Sequence, residues 1–500
     1  MISVKVLGDY LDGRFVRPPG ARRKIVSRDP GDVGYRIGAF PTYPDHVPQA
    51  VVAAAAAQPA WAALEPGDRA NLLRKFAAEV VNRRRELRDV IAAETGRPLF
   101  EAEEEVAALE AQAEIEIREG VRMVNPFRVS EIRHGVAGTC RFRPLGVVAV
   151  LGSAVSPLSL SCAHILPALL TGNCVVFKPS KLVPACGQWL ARLFEHIETP
   201  PGVFNMIQGD AAAGAALAAH PEVAGVLVTG SYPTGRRILE ATMSQPHKLV
   251  ALQMGGVNAA LVLEDADLDN AVFETVCGAF LSAGQRMSST RLVIVLESVF
   301  ERFANAFVEK VGRLKVGYAF EPGVFLGPLL SESARDRSLD MQERLVALGV
   351  KTLLRAEPLS LSRRGYYLSP GVYLLERTAE RERFAPDDLF FGPQALLLPA
   401  ATDEEALRLA NLTRFGFAAA VFTRDGKRFE EVAGRLRYGL VNHNLGTTEI
   451  SMRLPLGGAN RCGNNRPGGI FGQRNCTQPV SSLLLGAGPE REPRRRPFPR

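Results

Sequence analysis

Between Pro144 and Leu252 the chain repeats one pattern: a short, uninterrupted apolar run, a helical stretch, then another apolar run. Val147-Val148-Ala149-Val150-Leu151 ends at Gly152. Cys174-Val175-Val176-Phe177 ends at Lys178-Pro179-Ser180, and Val226-Leu227-Val228 ends at Thr229-Gly230-Ser231. Val203–Ile207 and Leu249–Leu252 complete the set, with helical stretches expected near 163–170, 185–198, 211–219 and 235–243. A strand that is apolar at every position must be covered on both faces, and helical crossovers provide that cover for a parallel sheet. The pattern therefore predicts an α/β fold built on a doubly wound, Rossmann-like sheet, with its crevice at the carboxyl ends of the strands.

Other regions have a different texture. Residues 45–125 read as helical, with Leu72, Leu73, Phe76, Val80 and Leu87 at helical spacing between Arg69 and Ile91, and a glutamate-rich amphipathic stretch from Leu99 to Met123. Residues 256–450 alternate more coarsely, as in the strand Leu292–Leu296, the helix Phe300–Val311, the strand Ala395–Leu398 and the helix Glu404–Asn411. That predicts a second α/β domain. We expect residues 1–126 and 144–255 to form a nucleotide-binding domain and 256–460 the second one. Residues 127–143 and 468–486 fit neither pattern and read as extended segments with alternating character. Residues 487–500 carry Arg491, Arg494, Arg495, Arg496 and Arg500 between prolines and read as a disordered basic tail.

Composition excludes several classes. Apolar residues make up 46% and charged residues 23%, values ordinary for a globular chain with a large core. The stretch Val147–Leu170 is apolar on average but holds four serines, His164, Pro157 and Pro167, which makes it a poor membrane span. Seven cysteines without a CxxC pair argue against a disulfide framework or a zinc site and fit a reducing cytoplasm. No secretory signal is visible behind Met1. A net charge of +7 is modest for 500 residues. Neither a membrane, nucleic acid nor a metal is expected as a partner.

Several strings resemble the aldehyde dehydrogenase superfamily, in order and over residues 3–485. Glu94-Thr95-Gly96-Arg97-Pro98 is similar to the family's E-T-G-K-P. The run from Pro144-Leu145-Gly146-Val147 through Leu166–Asn173 to Phe177-Lys178-Pro179-Ser180 follows the family's spacing, and Thr229-Gly230-Ser231 with Gly235 is similar to its T-G-S-x-x-x-G turn. Asn411–Gly416 and Gly463-Asn464-Asn465-Arg466-Pro467 resemble the succinylglutamate-semialdehyde branch in particular. The resemblance implies an aldehyde dehydrogenase-like fold with an extended oligomerisation arm over 127–143 and 468–486, and hence a homo-oligomer (dimer or tetramer) or a hetero-oligomer with an active paralogue.

The same resemblance implies a chemistry that the residues here do not supply. The family's route needs a cysteine thiolate to attack the aldehyde, an asparagine amide to hold the oxyanion, a nicotinamide cofactor to take the hydride, and a glutamate to activate water. The residue after Ala283-Gly284-Gln285-Arg286, where the family has its cysteine, is Met287. A thioether has no proton to lose. The triplet Val155-Ser156-Pro157 stands for the family's N-F-P, and Leu252-Gln253-Met254-Gly255-Gly256 for its L-E-M-G-G. Val155 donates no hydrogen bond, and Gln253 keeps a glutamate's shape without its basicity.

Leu389 stands where a cofactor-gripping glutamate belongs, and Lys181 where one binds the adenosine ribose. Lys178, Ser180, Lys181, Gly230, Ser231 and Gly235 are the residues expected to face NAD or NADP, if either binds; Lys181 would favour a 2′-phosphate. The Ser231 turn opens a helix whose first N–H groups could hold a pyrophosphate. Ser288, Ser289, Cys277 and Cys462 are the candidates for an unorthodox rescue of catalysis. His443 lies where the subfamily lines its substrate mouth but reads as structural. The expected function is a catalytically inactive member of the family, a scaffold or partner of an active enzyme. The alternatives are an active NAD(P)-dependent semialdehyde dehydrogenase and a nucleotide-sensing binding protein.

Overall fold

The computed structural model describes residues 4–21, 23–376, 384–388 and 392–485. Leu389 and the basic tail lie outside the described residues.

Two seven-stranded sheets organise the chain. In the first, the strands run in the order Leu249–Met254, Val223–Gly230, Val147–Leu151, Cys174–Lys178, Phe204–Met206, Asp9–Leu11 and Arg14–Val16. The first five are parallel, and the amino-terminal hairpin adds two antiparallel strands at the far edge. Every residue of Val147–Leu151 and Cys174–Lys178 is buried, as an all-apolar central strand requires. The strand order reverses direction at Val147–Leu151, so the crevice of this sheet opens between the carboxyl ends of its neighbours.

The second sheet has the order Lys351–Leu354, Gly371–Leu374, Gln394–Ala400, Thr290–Leu296, Asn258–Val262, Ala418–Phe422 and Leu440–His443. It is parallel apart from the first strand. Each sheet has its own core. Phe76, Phe177, Phe194 and Phe204 fill one; Phe280, Phe303, Phe307 and Tyr373 fill the other. The amino-terminal helices His46–Ala63, Pro66–Asn82, Arg84–Thr95 and Leu99–Arg118 pack into the first core. The stretch of helical spacing between Arg69 and Ile91 forms two helices, split at Arg83.

A third sheet, of strands Phe127–Arg133, Val136–Pro144 and Thr477–Leu485, is antiparallel and stands apart from both cores. The first of these strands is exposed at every residue. Of the segment 468–486 that reads as extended, only Thr477–Leu485 joins this sheet. Gly468 and Gly469 pair instead with Pro455 and Leu456, and Gly472–Cys476 forms a mostly buried single-turn helix. Gln473 explains the difference: its amide donates to the Glu116 backbone and side chain and draws the chain inward before the arm begins. Among the described residues, no helix is long and apolar enough to cross a membrane.

Candidate functional site

The helix Leu268–Phe280 ends in a tight turn, and the turn delivers Met287 to a cavity between the two sheets. Ser282, Ala283 and Gly284 follow one another with φ of 55°, 50° and 66°. Two consecutive non-glycine residues in the left-handed region are strained. Gly284 has no alternative, because a Cβ there would meet the Gly392 carbonyl oxygen at 2.0 Å. Glu101 enforces the turn: its carboxylate accepts from the Ser282 N–H at 2.8 Å and from the Ser282 hydroxyl. The buried guanidinium of Arg291 donates to the carbonyls of Gly284 and Gly392. Asn258 then receives the chain, its side-chain amide donating to the carbonyls of Met287 and Ser289 at 2.9 Å each.

The cavity has a volume of about 270 Å³. Val155, Leu160, Met287, Phe417, Ile450 and Leu456 form its apolar wall; Arg97, Glu104, Glu105, Ser156, Ser159, Arg286, Ser288 and Thr448 form its polar wall. Met287 is 9% exposed and packs in a cluster with Leu160, Phe417, Ala418, Leu456 and Cys462.

Behind the polar wall lies a network of buried charge that was not legible in the sequence. Arg97 pairs with Glu105, bonds the Glu101 carbonyl at 2.9 Å and reaches the Ser156 hydroxyl at 3.2 Å. Glu105 also accepts from the N–H groups of Leu158 and Ser159, at 2.9 and 3.2 Å, and so fixes the loop that carries Val155. Arg286 donates to Glu101 at 2.7 Å and to the Ser282 hydroxyl at 3.1 Å. Burial pushes the Glu101 carboxyl up, but Arg286 and Arg97 outweigh it and hold the group below the usual carboxylate range. Glu101 and Glu105 are one helical turn apart, so both face the same way. That spacing beside Arg97 was the available signal within a stretch that otherwise reads as a glutamate-rich amphipathic helix.

Gln253 sits elsewhere. It is 1% exposed and does not line the cavity. Its amide Nε2 donates to the Leu456 carbonyl at 2.8 Å, its backbone bridges to Gly463, and its Oε1 has no partner. Asn464 completes the attachment, accepting from the Leu252 N–H at 3.0 Å and donating to the Val250 carbonyl at 2.8 Å. The glycine-rich loop after Leu456 is thus clamped along the edge strand of the first sheet.

Of the three residues singled out from the family's chemistry, the structure brings Met287 and Val155 together on one cavity and leaves Gln253 behind its wall. Ser288 lines the cavity; Ser289 is buried with its hydroxyl unpartnered. None of the seven cysteines lines it. Cys462, which touches the Met287 cluster, is pushed up to about 12 by burial, and half-buried Cys277 to about 11. His443 stacks on Phe429 at 4.4 Å and faces the Thr423 carbonyl, away from the cavity.

The residues expected to meet a nucleotide do converge. Lys178, Ser180 and Lys181 follow one strand, and Gly230, Ser231 and Gly235 follow another, on either side of the reversal in strand order. Two of their donors, on Lys178 and Gly235, are committed to the fold. Lys178 is buried, and its Nζ donates to the carbonyls of Pro179 and Gly209 at 2.8 and 3.2 Å; burial pulls its ammonium down to about 8. The helix Tyr232–Thr242 has Pro233 in its first turn, which supplies no N–H. Thr234 N–H is taken by the Ser231 hydroxyl and Gly235 N–H by the Ser231 carbonyl. Tyr232 alone among the first three helical residues keeps an uncommitted N–H, and its ring lies against Phe415 and the Arg461 guanidinium. Gly235 packs on Met254, where a Cβ would meet the sulfur at 2.3 Å. The crevice has the shape of a dinucleotide site, with Lys178 and Gly235 committed to the fold and Lys181 exposed.

A doubly wound sheet of dinucleotide-binding type, joined across a deep cavity to a second parallel sheet and carrying a detached three-stranded arm, defines the class of nicotinamide-dependent oxidoreductase folds. Within that class the chain belongs to the aldehyde dehydrogenase family, whose model matches residues 20–481. It is 36% identical over 469 residues to the N-succinylglutamate 5-semialdehyde dehydrogenase of Paraburkholderia xenovorans LB400, covering 93% of this chain and 94% of that one. It is 37% identical over 478 residues to the enzyme of the same name from Escherichia coli O6:K15:H31 strain 536, covering 95% of each. Among solved structures, PnpE from Pseudomonas sp. WBC-3 superposes with a TM-score of 0.91 at 28% identity, covering 98% of this chain and 99% of that one. The lactaldehyde dehydrogenase of Escherichia coli gives 0.88 at 28% identity, covering 96% and 99%.

Proposed function

We propose that this chain is a catalytically silent member of the aldehyde dehydrogenase family, acting as a scaffold or as the partner of an active paralogue. One observation carries the reading: the sulfur presented to the cavity is the methylated sulfur of Met287, with no thiol among the residues lining the space around it. Val155 offers that space no donor, and Gln253 spends its amide on Leu456. Losing one oxyanion donor costs about 10²–10³ in rate, and losing a general base about 10²–10⁴. Losing the nucleophile removes the covalent route altogether, whatever the other two contribute.

The partner role is supported by the exposed apolar side chains of the three-stranded arm. Phe127, Val129, Ile132 and Leu483 project from it with no cover from the chain's own cores. The test is an assay of purified protein with N-succinylglutamate semialdehyde and either NAD or NADP. No cofactor reduction above that of heat-denatured protein is expected; turnover above that background overturns the reading. Copurification with an intact paralogue distinguishes a partner from a free-standing scaffold.

A further inference from the structure

We propose that the cavity beside Met287 is a binding site for a free α-amino acid with an apolar side chain, held by its two charged groups and not transformed. This deepens the silent reading above and takes from it that the cavity does no chemistry.

The argument begins with which charges remain free. Arg97 and Glu105 neutralise each other, as do Arg286 and Glu101, and all four are buried or nearly so. One hydrogen-bond donor and one negative charge are left over. Arg286 uses its Nε on Ser282 and one terminal nitrogen on Glu101, so its other terminal nitrogen has no partner among the described residues, although the residue lines the cavity and is 20% exposed. Glu104 also lines the cavity, and its carboxylate makes a single ion pair, to Arg286 at 3.7 Å, with 62% of its side chain exposed.

A free guanidinium N–H and an under-used carboxylate lie side by side at the mouth, with the apolar wall of Met287, Phe417 and Leu456 within. A simple carboxylate entering here would meet the uncompensated charge of Glu104. A simple amine would satisfy Glu104 and leave the guanidinium unused. A zwitterion satisfies both, and charge-assisted bonds of this kind are the strong ones. The size agrees: about 270 Å³ falls just below the range of roughly 300–1,000 Å³ that holds drug-sized ligands, as suits a small metabolite. The strained turn and the buried network keep the cavity's shape without a ligand, so binding need not order it first.

Calorimetric titration with L-leucine tests this, alongside 4-methylpentanoate, which lacks the ammonium, and isopentylamine, which lacks the carboxylate. Leucine is expected to bind, with each one-headed analogue at least tenfold weaker. Glu104→Gln, at an exposed position outside the buried network, is expected to keep the wild-type melting temperature. It should weaken leucine at least tenfold and leave 4-methylpentanoate unchanged or tighter. The proposal is overturned if leucine gives no heat, if either analogue matches it, or if Glu104→Gln binds leucine as wild type does. Aldehyde turnover in the separate assay would overturn the silent reading instead, and leucine binding without turnover leaves both standing.

Discussion

Replacing Gln253 with glutamate restores the residue type that the family's water-activating step uses, and the structure says the result will be instability rather than catalysis. Gln253 is buried, and its Nε2 is the donor in a 2.8 Å bond to the Leu456 carbonyl. A protonated glutamic acid has a hydroxyl that can replace that donor. A carboxylate has none and would face the carbonyl with like charge. Burial therefore raises the folded-state pKa of the introduced group above the ordinary value of about 4.3. For an acid so raised, the unfolded chain releases its proton first. Stability is then unaffected below about pH 4.3, falls by about 1.4 kcal/mol per pH unit above it, and levels off once the folded group ionises.

If the group stays protonated in place to pH 7, the loss there is about 3–4 kcal/mol. That figure is in line with the ~3–5 kcal/mol known for leaving one buried charge without its partner. The assay is urea denaturation of wild type and Gln253→Glu between pH 5 and pH 8, reading the difference in midpoint so that the chain's other titrations cancel. The difference should be small at pH 5 and grow steadily toward pH 8. Midpoints that run parallel across this range would refute the reasoning. They would mean that the side chain leaves the Leu456 carbonyl and ionises in the cavity, as a working base would.

Met287→Cys should leave the protein folded at a cost of about 1–2 kcal/mol for the lost methylenes, and should show no turnover, since neither an amide donor nor a base is supplied with it; urea denaturation checks the first half and the dehydrogenase assay on unalkylated protein the second. Glu116 is fully buried with Gln473 as its side-chain donor, and burial pushes it up to about 8. Its Oε1 and that of Gln473 are both unpartnered. Glu116→Gln should therefore raise the melting temperature at pH 8, on the order of 4 kcal/mol in stability, and change it little at pH 5. His164 is buried against the Thr229 hydroxyl at 2.9 Å and pulled down to about 4. The unfolded chain takes the proton first, so wild-type stability should fall as pH drops from 6.5 toward 4, and His164→Gln should flatten that part of the denaturation profile. Glu105→Ala strips Arg97 of its buried partner and the loop at Leu158 of its acceptor, and should cost about 3–5 kcal/mol, read as a lowered urea midpoint.

How far the sequence reaches depends on the reach of the force involved. The central strands were legible because burial on both faces imposes an unbroken apolar run, and Val147–Leu151 and Cys174–Lys178 stand where that rule puts them. The arm strands were legible for the opposite reason, since Phe127–Arg133 belongs to no core. Contacts between residues distant in the chain were not. Nothing near Gln253 in sequence announces that its amide will meet Leu456, and nothing near Gln473 announces Glu116. Pro233 was visible as a letter, but its consequence was not, because the helix was expected to begin at Gly235 and begins at Tyr232. The buried charge network was hidden because an amphipathic, glutamate-rich stretch does not say which of its glutamates find buried partners.

The bend at Ser282 and Ala283 bears on the history of the cavity as well as its geometry. Two side-chain-bearing residues in the left-handed region cost roughly 2–4 kcal/mol together. A glycine at either position would relieve part of that at once. A chain under no demand at this spot has an easy route downhill, one substitution long. Instead the kink persists, braced by a carboxylate and a guanidinium brought from far along the polypeptide. This hollow is held open against the backbone's own preference.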